Sequence, residues 1–356
     1  MKLAIISLKS NSSNMLIEAS KKYFSEVDAL DLRHIEIVVR EKAEIFYEDE
    51  PLKDYDCIYC RGSSKYALIL RSITEILNKK AYMPLAPESF TIAHDKFLTQ
   101  LYLQKLKVDM PRTYLAATTK RAKELIKRIH YPAIIKLPSG THGKGVMFAD
   151  SRSSASSILD TLEIFRQAYI IQDFIDTDGK DIRAIVTGDE VIASMERSSA
   201  RGELRANIHA GGKGKAITLT EEAKELAIKS ARAIHADVCA VDILQGLKPL
   251  VIEVNASPGL KGITEATKKD VASEICKYLF EKSSQFAASK KENNYSRIIH
   301  DINQPGPKEV IANLDVKLGR IRLDSLITKL SGFTSEDEVT IKVERGNIII
   351  KKHGDN

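Results

Sequence analysis

Two short apolar segments joined by a glycine-containing loop constrain the fold and chemistry of this chain most. They lie within the run AVDILQGLKPLVIEVNASPG at residues 240–259, where Asp242, Glu253 and Asn255 interrupt the hydrophobic pattern. Side chains alternate along a strand, so Glu253 and Asn255 share a face, and pairing across the hairpin places Asp242 opposite Glu253. We therefore predict a hairpin that presents two carboxylates and one amide on one face.

Two carboxylates that meet in an apolar sheet repel each other and lose hydration unless a cation lies between them. Three oxygen ligands suit Mg²⁺ or Mn²⁺ better than Zn²⁺. A solvent-facing edge hairpin also alternates polar and apolar residues, but LVIEVN carries apolar residues on both faces, which favours covered faces. The prediction is a metal site formed by Asp242, Glu253 and Asn255, and such a metal implies phosphates.

A second segment, IIKLPSGTHGKGVMF, places Lys136 before a turn that contains Gly140, Gly143 and Gly145. A strand follows the turn, so the segment is not the phosphate loop that precedes a helix. Glycines let backbone N–H groups approach phosphate oxygens, and Lys136 can hold a phosphate as a point charge. The alternative interpretation is an ordinary glycine-rich hairpin whose lysine extends to solvent.

A third segment, MERSSARGELRANIHAGGKGK, is interpreted as a basic loop between a strand and a helix. Its five cations are Arg197, Arg201, Arg205, Lys213 and Lys215. Arg205 and Asn207 combine a planar charged fork with a neutral amide, which suits a γ-phosphate or a developing acyl phosphate. A solvated charged face is the alternative interpretation.

The length and composition predict several folding units. The chain has 356 residues, of which 43% are hydrophobic and 29% are charged, which excludes collagen-like, disordered and coiled-coil classes. We expect a cytoplasmic protein, because no apolar run reaches about 18 residues and the N-terminus does not match a signal peptide. The four cysteines are predicted to be free thiols, with Cys57 and Cys60 in a strand rather than in a redox or metal site. The net charge of +6 is spread along the chain, which does not indicate nucleic-acid binding.

Strand and helix patterns alternate at the N-terminus: KLAIISL, IEIVV and DCIYC are predicted strands of a parallel sheet. A helix is predicted over residues 88–107. The predicted domains are an N-terminal α/β domain, a central domain with a lid at about 110–170 and a metal-binding part at about 171–285, a linker and a small mainly β domain. Their boundaries are 1–87, 88–285, 286–307 and 308–356.

Several motifs in this order resemble the RimK-type ATP-grasp ligases over residues 86–285. They are HDK, IIKLPSGTHGKGV, IQDFI, GKDIRAIVTGDEVIASMER, GELRANIHAGG, AVDIL and IEVNASPGL. The resemblance implies an ATP-grasp fold, of mixed α/β and α+β class, in which an N-terminal pre-ATP-grasp domain precedes two ATP-grasp subdomains. It implies an ADP-forming, ATP-dependent ligase that adds an amino acid, most often glutamate, to a protein, peptide or coenzyme carboxylate through an acyl phosphate. The implied cofactors are ATP and Mg²⁺ or Mn²⁺, with two ions.

The resemblance also assigns roles by position. It assigns the nucleotide to Lys96, Lys136, Gly140, Gly143, Gly145, Asp173, Phe174, Asp181, Arg205, Ala206 and Asn207, the phosphate chemistry to Arg205 and Asn207, and the metal to Asp242, Glu253 and Asn255. Asp173 stands where the family usually has Glu, next to a hinge that pairs with adenine through its backbone.

The tail, from LGRIRLDSL to GNIIIKK, resembles the AbrB/SpoVT swapped-hairpin domain, which dimerises and often binds DNA. Residues 308–353 hold nine Lys or Arg and seven Asp or Glu, a small excess for a DNA surface. We therefore expect a homo-oligomer more than a DNA complex, and no membrane partner.

Two other functions fit parts of the pattern. One is a nucleotide-sensing regulator whose core controls the tail, and the other is an ATP-grasp kinase that phosphorylates a small alcohol. The complete set of phosphate and metal residues argues against the regulator. Arg61, at the end of an N-terminal strand, is equally consistent with a turn residue and with an acceptor clamp.

Overall fold

The computed structural model describes residues 1–138, 145–198, 213–302, 315–317, 320–322, 327 and 331–353. The chain divides into two compact units, Met1–Ala287 and Ala288–Asn356, which are described separately. None of the helices in the described part of the chain combines the length and the apolar content that a membrane span needs.

The N-terminal region contains two small sheets. Its elements are β1 (Lys2–Ser7), α1 (Asn11–Ser20), β2 (Glu26–Asp31), β3 (Ile35–Val39), β4 (Ala43–Tyr47), β5 (Glu50–Pro51), β6 (Cys57–Cys60) and α2 (Ala67–Leu77). The first sheet is parallel in the order β2-β1-β6, and the second has the order β3-β4-β5. The predicted parallel strand IEIVV is therefore wrong in its partner, because β3 pairs antiparallel with β4. The parallel neighbour of β1 is β2, whose sequence EVDALD alternates weakly and escaped the sequence pattern.

Two helices connect this region to the next sheet. They are α3 (Ser89–Ile92) and α4 (Lys96–Lys105), where the sequence predicted one continuous helix. The break occurs because the Asp95 side chain accepts hydrogen bonds from the backbone N–H groups of Phe97 and Leu98, both at 2.9 Å, and thereby caps α4.

The lid region follows, with its own hydrophobic core. Its elements are β7 (Thr113–Tyr114), α5 (Thr119–Leu125), β8 (Ala133–Lys136), β9 (Val146–Ala149), α6 (Arg152–Ile164) and β10 (Ile170–Asp173). The four strands form an antiparallel sheet in the order β7-β10-β8-β9. Ala122, Ile135 and Leu159 are fully buried in this core, which is separate from the larger core of the unit.

A five-stranded antiparallel sheet forms the centre of the first unit. Its region comprises β11 (Lys180–Thr187), β12 (Glu190–Ser198), β13 (Lys213–Ala216), α7 (Glu221–Ala233), β14 (Val238–Gln245), β15 (Pro249–Asn255), α8 (Lys261–Thr267) and α9 (Val271–Ile302). The strand order is β13-β12-β11-β14-β15. Its buried residues and those of the N-terminal sheet belong to one continuous core. The parallel sheet and the five-stranded sheet are thus packed as one body.

Part of the basic segment, which the sequence predicted as a loop, lies in two strands. Arg197 lies inside β12, while Lys213 and Lys215 lie in β13. Arg201 and Arg205 lie outside the described residues. Cross-strand pairing places Arg197 opposite both Asp181 and Gly214, so this arginine belongs to the sheet.

The segment predicted as a linker from residue 286 is helical as far as Ile302, because α9 continues through it. No Pro or Gly interrupts residues 271–302, and Ala, Lys and Glu are frequent helix formers there. The weak hydrophobic periodicity of this segment concealed the helix.

The second unit contains two described strand pairs. They are β16 (Asp315–Lys317) with β17 (Arg320–Arg322), and β18 (Val339–Glu344) with β19 (Asn347–Lys352). The second pair is the predicted hairpin. Its two-residue turn needs a left-handed conformation, which Gly346 supplies with φ +82°.

Candidate active site

The predicted hairpin is β14–β15, and Asp242 pairs directly with Glu253 across it. A β-bulge shifts the register at this point, because the next pair is Ile243 with Val251. Asp242 and Ile243 are neighbours on β14, so their side chains point to opposite faces of the sheet. Their partners Glu253 and Val251 are two residues apart and would point to the same face of a regular strand. The bulge changes this alternation, so that Glu253 points towards Asp242. The solvent-facing alternative is wrong for Asp242, of which only 3% is exposed, while Glu253 and Asn255 are half-buried on the edge strand β15.

Two arginines hold Asp242. Arg183, its partner on β11, donates from Nε to Oδ1 at 2.8 Å and from Nη2 to Oδ2 at 2.7 Å. Arg197 reaches the same Oδ2 from β12 at 3.0 Å. Arg197 also donates to both oxygens of Asp181, at 2.6 and 2.8 Å. Asp181, Arg197, Asp242 and Arg183 thus form a continuous network of alternating charges with no net charge.

Burial and pairing act against each other in this network. Burial alone raises the pKa of Asp242, but the charges of Arg183 and Arg197 outweigh it and hold the pKa below its usual range. Burial raises the pKa of Asp181 above its usual range, an effect that Arg197 opposes and the charge of Asp242 reinforces. The attraction of both carboxylates outweighs burial at Arg197 and raises the pKa of its guanidinium. The network keeps Asp242 ionised near neutral pH.

The three predicted metal-binding residues lie together on the same face. The Asn255 amide nitrogen lies 3.4 Å from Asp242 Oδ2, which leaves its carbonyl oxygen as a donor to a cation. The Glu253 side chain is half-buried and makes no hydrogen bond or ion pair with any described residue. No group of three or more His, Cys, Asp or Glu in the described ranges could hold a metal. The predicted donor set contains two carboxylates and one amide, which are oxygen ligands of the kind that Mg²⁺ takes.

Lys136, the last residue of β8, is buried with 8% of its surface exposed. Its Nζ donates to Gln172 Oε1 at 2.7 Å, and Gln172 Nε2 donates to Thr113 Oγ1 at 2.7 Å. Burial lowers the pKa of Lys136 to about 8, while Glu253 raises it and Lys96 lowers it further. The lysine does not extend to solvent, as the alternative interpretation of this segment required. Instead, Gln172 holds a buried cation near Glu253.

Lys96 begins α4, and its backbone N–H donates to the Pro138 carbonyl at 3.1 Å. This bond ties the start of α4 to the end of β8, so that Lys96 and Lys136 affect each other electrostatically. His94 is buried, and burial followed by the charge of Lys96 lowers its pKa. A neutral His94 adds no positive charge next to Lys96.

The predicted nucleotide hinge ends β10. The backbone N–H of Asp173 donates to the Arg112 carbonyl at 2.9 Å, while its side-chain Oδ1 is buried without a hydrogen-bond partner in the described chain. Phe174 contacts Phe148 edge to face, with ring centroids 5.3 Å apart. A buried carboxylate oxygen without a donor is costly, and an N–H group from a ligand would remove that cost.

The other predicted residues are placed only in part. Gly145 has φ +79°, and a Cβ there would lie 2.9 Å from the Leu137 side chain, so glycine is required. Gly140, Gly143, Arg205, Ala206 and Asn207 lie outside the described residues. Their roles stay predictions.

Sequence reasoning missed two residues of this site. Arg183 alternates with Asp181 on β11, a spacing that places both on one face and could have indicated an ion-pair network. Gln172 follows two isoleucines in β10, a polar interruption of the same kind as Asp242.

A family model described as the RimK-like ATP-grasp domain matches residues 93–279. A probable alpha-L-glutamate ligase of Cellvibrio japonicus (strain Ueda107) is 34% identical over 298 residues, which cover 82% of this chain and 99% of that protein. A probable alpha-L-glutamate ligase of Vibrio cholerae serotype O1 is 35% identical over 299 residues, covering 82% and 98%.

Among solved structures, the ATP-grasp ligase PsnB complexed with a phosphomimetic variant of minimal precursor, Mg and ADP is similar in fold. Its TM-score is 0.64 at 15% identity, and the match covers 79% of this chain and 98% of that chain. At this identity the likeness shows the fold alone, which is the predicted ATP-grasp fold.

Proposed function

This chain belongs to the RimK-like ATP-grasp family, and from that premise we propose that it joins glutamate to a peptide or protein carboxylate. The membership confirms the predicted activity class, an ATP-dependent carboxylate–amine ligase that forms ADP. Glutamate is proposed because the relatives above are named as glutamate ligases. One observation carries the proposal: Asp242, Glu253 and Asn255 converge on one face of the sheet, within the electrostatic reach of buried Lys136.

We propose that Lys96 and Lys136 bind the phosphates of ATP. Gln172 fixes the Nζ of Lys136, so the positive charge is already oriented before a ligand arrives. At the hinge, the orphaned Oδ1 of Asp173 is an acceptor for the amino group of adenine. Gly140, Gly143 and Gly145 belong to the proposed phosphate flap.

We propose that Glu253, Asn255 and Asp242 hold Mg²⁺ or Mn²⁺, with room for two ions as the family resemblance implies. When bound, the metal neutralises charge on the phosphates. Of the three residues, Glu253 is best able to hold the metal, because the charge of Asp242 is already balanced by two arginines. Arg183 and Arg197 then act through Asp242 and fix the orientation of its carboxylate.

The proposed reaction has two steps, and no described protein nucleophile is needed in either. A carboxylate oxygen of the acceptor attacks the γ-phosphorus of ATP, which breaks the bond to the bridging oxygen and forms an acyl phosphate and ADP. The amine of glutamate then attacks the acyl carbon, loses a proton and expels phosphate, which leaves an amide. We assign the stabilisation of the transferring phosphoryl group to Arg205 and Asn207, with Ala206 between them. Asp181 is proposed to support the nucleotide pocket by holding Arg197.

The test is the release of phosphate from Mg·ATP by the purified chain, screened with single amino acids against peptide carboxylates, with mass spectrometry of the products. We expect release only when both an amino acid and an acceptor are present, and a product heavier by one glutamate residue. Release with an alcohol and no amine would instead indicate a kinase. Tight ATP binding with no release for any pair would favour a nucleotide-sensing regulator.

We propose further that the tail hairpin mediates self-association. Val339, Ile341, Val343 and Ile348 lie on one face of β18–β19, with exposed fractions of 38, 54, 70 and 47%. A face of branched apolar side chains favours another protein surface over a phosphate backbone. DNA remains a secondary expectation for the tail, because its excess of cations is small.

We propose the cytoplasm as the location of the protein. The free cysteines Cys57, Cys60, Cys239 and Cys276 are buried, and burial raises the pKa of each thiol, which makes them unreactive. Unpaired thiols in a chain of this length agree with a reducing compartment.

A further inference from the structure

Arg61 connects the N-terminal sheet to the segment that follows β15, the strand of the proposed metal site. Its backbone N–H donates to the Ile6 carbonyl at 2.8 Å, which continues the pairing of β6 with β1. Its side chain leaves that sheet, and Nη2 donates to the Pro258 carbonyl at 2.7 Å. Pro258 lies three residues after Asn255. One side chain therefore joins the N-terminal region to the end of β15.

Two further hydrogen bonds hold the same segment. Gly62 N–H donates to Ser257 Oγ at 3.0 Å, and Leu260 N–H donates to Ser12 Oγ at 2.8 Å. Beyond strand pairing and the bonds from Arg61 and Gly62, residues 256–259 make no hydrogen bond with the described part of the chain. The N-terminal region, and not the five-stranded sheet, thus positions the middle of this turn.

The path of the turn affects the end of β15. This strand lies at the edge of the sheet and pairs only with β14, and a bulge interrupts that pairing next to Glu253. Ala256 and Leu260 anchor the two ends of the turn in the core, with 2% and 0% of their surfaces exposed. The hydrogen bonds from the N-terminal region therefore determine the path between these anchors, directly after Asn255.

Arg61 is an unfavourable residue for stability at this place. Only 3% of it is exposed, and it has no anionic partner within the described chain. Its Nη1 donates to the Tyr59 hydroxyl at 2.9 Å, and its Nε has no hydrogen-bond partner among the described residues. Burial raises the pKa of Tyr59, although the charge of Arg61 opposes this, so the hydroxyl stays neutral. A buried guanidinium that meets only neutral oxygens loses its hydration without gaining an ion pair.

The shape of the arginine side chain accounts for its presence better than its charge does. Its planar end carries several N–H donors in fixed directions, so it can bond Tyr59 on its own strand and Pro258 on the turn at once. An apolar side chain of similar length would fill the same space but would leave the turn unattached.

We propose that Arg61 is a positioning residue of the ligase: by holding the turn at Ser257 and Pro258 against the N-terminal sheet, it keeps Glu253 and Asn255 in the arrangement that binds the metal. The proposal rests on the proposed ligase function and on the metal site assigned above. Arg61 acts through the turn and contacts neither the metal nor the nucleotide. The N-terminal region thereby contributes to metal binding without providing a ligand.

The test measures metal binding without turnover. Mn²⁺ is titrated into the full chain with AMP-PNP, and binding is recorded by water-proton relaxation, which responds more strongly to Mn²⁺ on the protein than to Mn²⁺ on free nucleotide. Arg61→Met removes the side-chain hydrogen bonds, so we expect the dissociation constant of Mn²⁺ to rise about tenfold. Arg61→Lys keeps one donor and should recover part of the affinity.

The matched control is Arg71→Met, which should leave Mn²⁺ binding unchanged. Arg71 likewise donates to a neutral oxygen, Thr91 Oγ1 at 2.9 Å, but it is exposed and makes no hydrogen bond to the turn. Ser257→Ala removes the neighbouring bond from Gly62 and should weaken Mn²⁺ binding less than Arg61→Met does. The two losses should not add in the double variant, because both bonds hold the same turn.

A measurement of stability separates positioning from general support of the fold. The ends of the turn stay packed in the core, and Arg61→Met removes a buried cation that has no counter-charge. We therefore expect the urea midpoint of unfolding of Arg61→Met to stay the same or to rise while its Mn²⁺ affinity falls.

The proposal is overturned if Arg61→Met binds Mn²⁺ as tightly as the unmodified chain, if Arg71→Met loses as much affinity, or if the urea midpoint falls together with the affinity. It is also overturned if Arg61→Met raises only the KM of the acceptor, because Arg61 would then bind a substrate directly. Failure of the ligase function has a different signature, which is the absence of amino-acid-dependent ADP formation by the unmodified chain. Mn²⁺ binding is recorded whether or not that reaction occurs.

Discussion

Two hairpins of this chain that turn at a glycine-containing loop, β14–β15 and β18–β19, have opposite surroundings. β14 is buried from Val238 to Ile243, and it carries a carboxylate inside the protein. β18 is exposed along its whole length, and it carries branched apolar side chains outside. The strand pattern specifies which residues pair, but the neighbouring elements decide what is covered. A buried charge then needs partners within the fold, and an exposed apolar face needs a partner surface.

The largest effect is expected where the buried hairpin depends on its charge partners. Arg197→Met removes the link between Asp181 and Asp242 and leaves two carboxylates short of a partner. We expect the free energy of unfolding to fall by about 3–5 kcal/mol, measured by urea denaturation at pH 7.5. Arg232→Met breaks an exposed pair with Asp189 and should cost less than about 1 kcal/mol. Equal losses in the two variants would show that the network is not a special feature of the site.

Glu253 differs from Asp242 because it has no ion-pair partner among the described residues. Glu253→Ala should lower kcat by a factor of about 10²–10³, because a group that stabilises the transferring charge is lost. Its thermal unfolding temperature should stay the same or rise, since carboxylate repulsion is relieved. Glu190→Ala, on an exposed position of the same sheet, is the control for activity. Full activity of Glu253→Ala would refute the assignment of the metal site.

The site shows what the sequence can predict and where it stops. Polar interruptions in apolar strands identified Asp242, Glu253 and Asn255, and the pairing of Asp242 with Glu253 is confirmed. The bulge between Asp242 and Ile243 could not be predicted, because it depends on which partner residue is skipped and not on residue type. The partners of Asp242 also depend on register, since Arg183 and Arg197 come from two other strands.

The fold, like the site, was predicted only where the pattern of residues is strong. Strongly alternating or apolar segments such as β14, β15 and the tail hairpin were predicted correctly as strands. β2 was missed because EVDALD has acids at its first, third and sixth positions, which breaks a regular alternation of apolar and polar residues. The family resemblance supplied the order of the central elements, but it said nothing specific about the extended helix α9.

The exposed hairpin provides the next test. Ile341→Asp places a charge in the centre of its apolar face, so we expect the assembled chain to dissociate to monomers, measured by light scattering after size exclusion. Burial of one such side chain contributes about 1.5–3 kcal/mol, which is enough to lower association by tenfold or more. Thr340→Asp makes a similar change on the opposite face and should leave the mass unchanged. A chain that is monomeric before any substitution would contradict self-association through the tail.

The smallest effect concerns the buried lysine, which, like Asp242, carries charge inside the protein but has a neutral amide as its closest partner. Burial lowers the pKa of Lys136 to about 8, so at pH 8.5 the free protein holds this amine mostly neutral. Phosphates favour the charged form, so binding of Mg·ATP at pH 8.5 should take up about three quarters of a proton, measured by calorimetry in two buffers of different ionisation heat. The uptake should fade below pH 7, where the amine is already protonated. Lys136→Arg stays charged at every such pH and should take up no proton. Equal uptake in both proteins would show that another group takes up the proton.

Because the Lys136 amine is charged below its lowered pKa and neutral above it, ATP affinity should fall as the pH rises through 8.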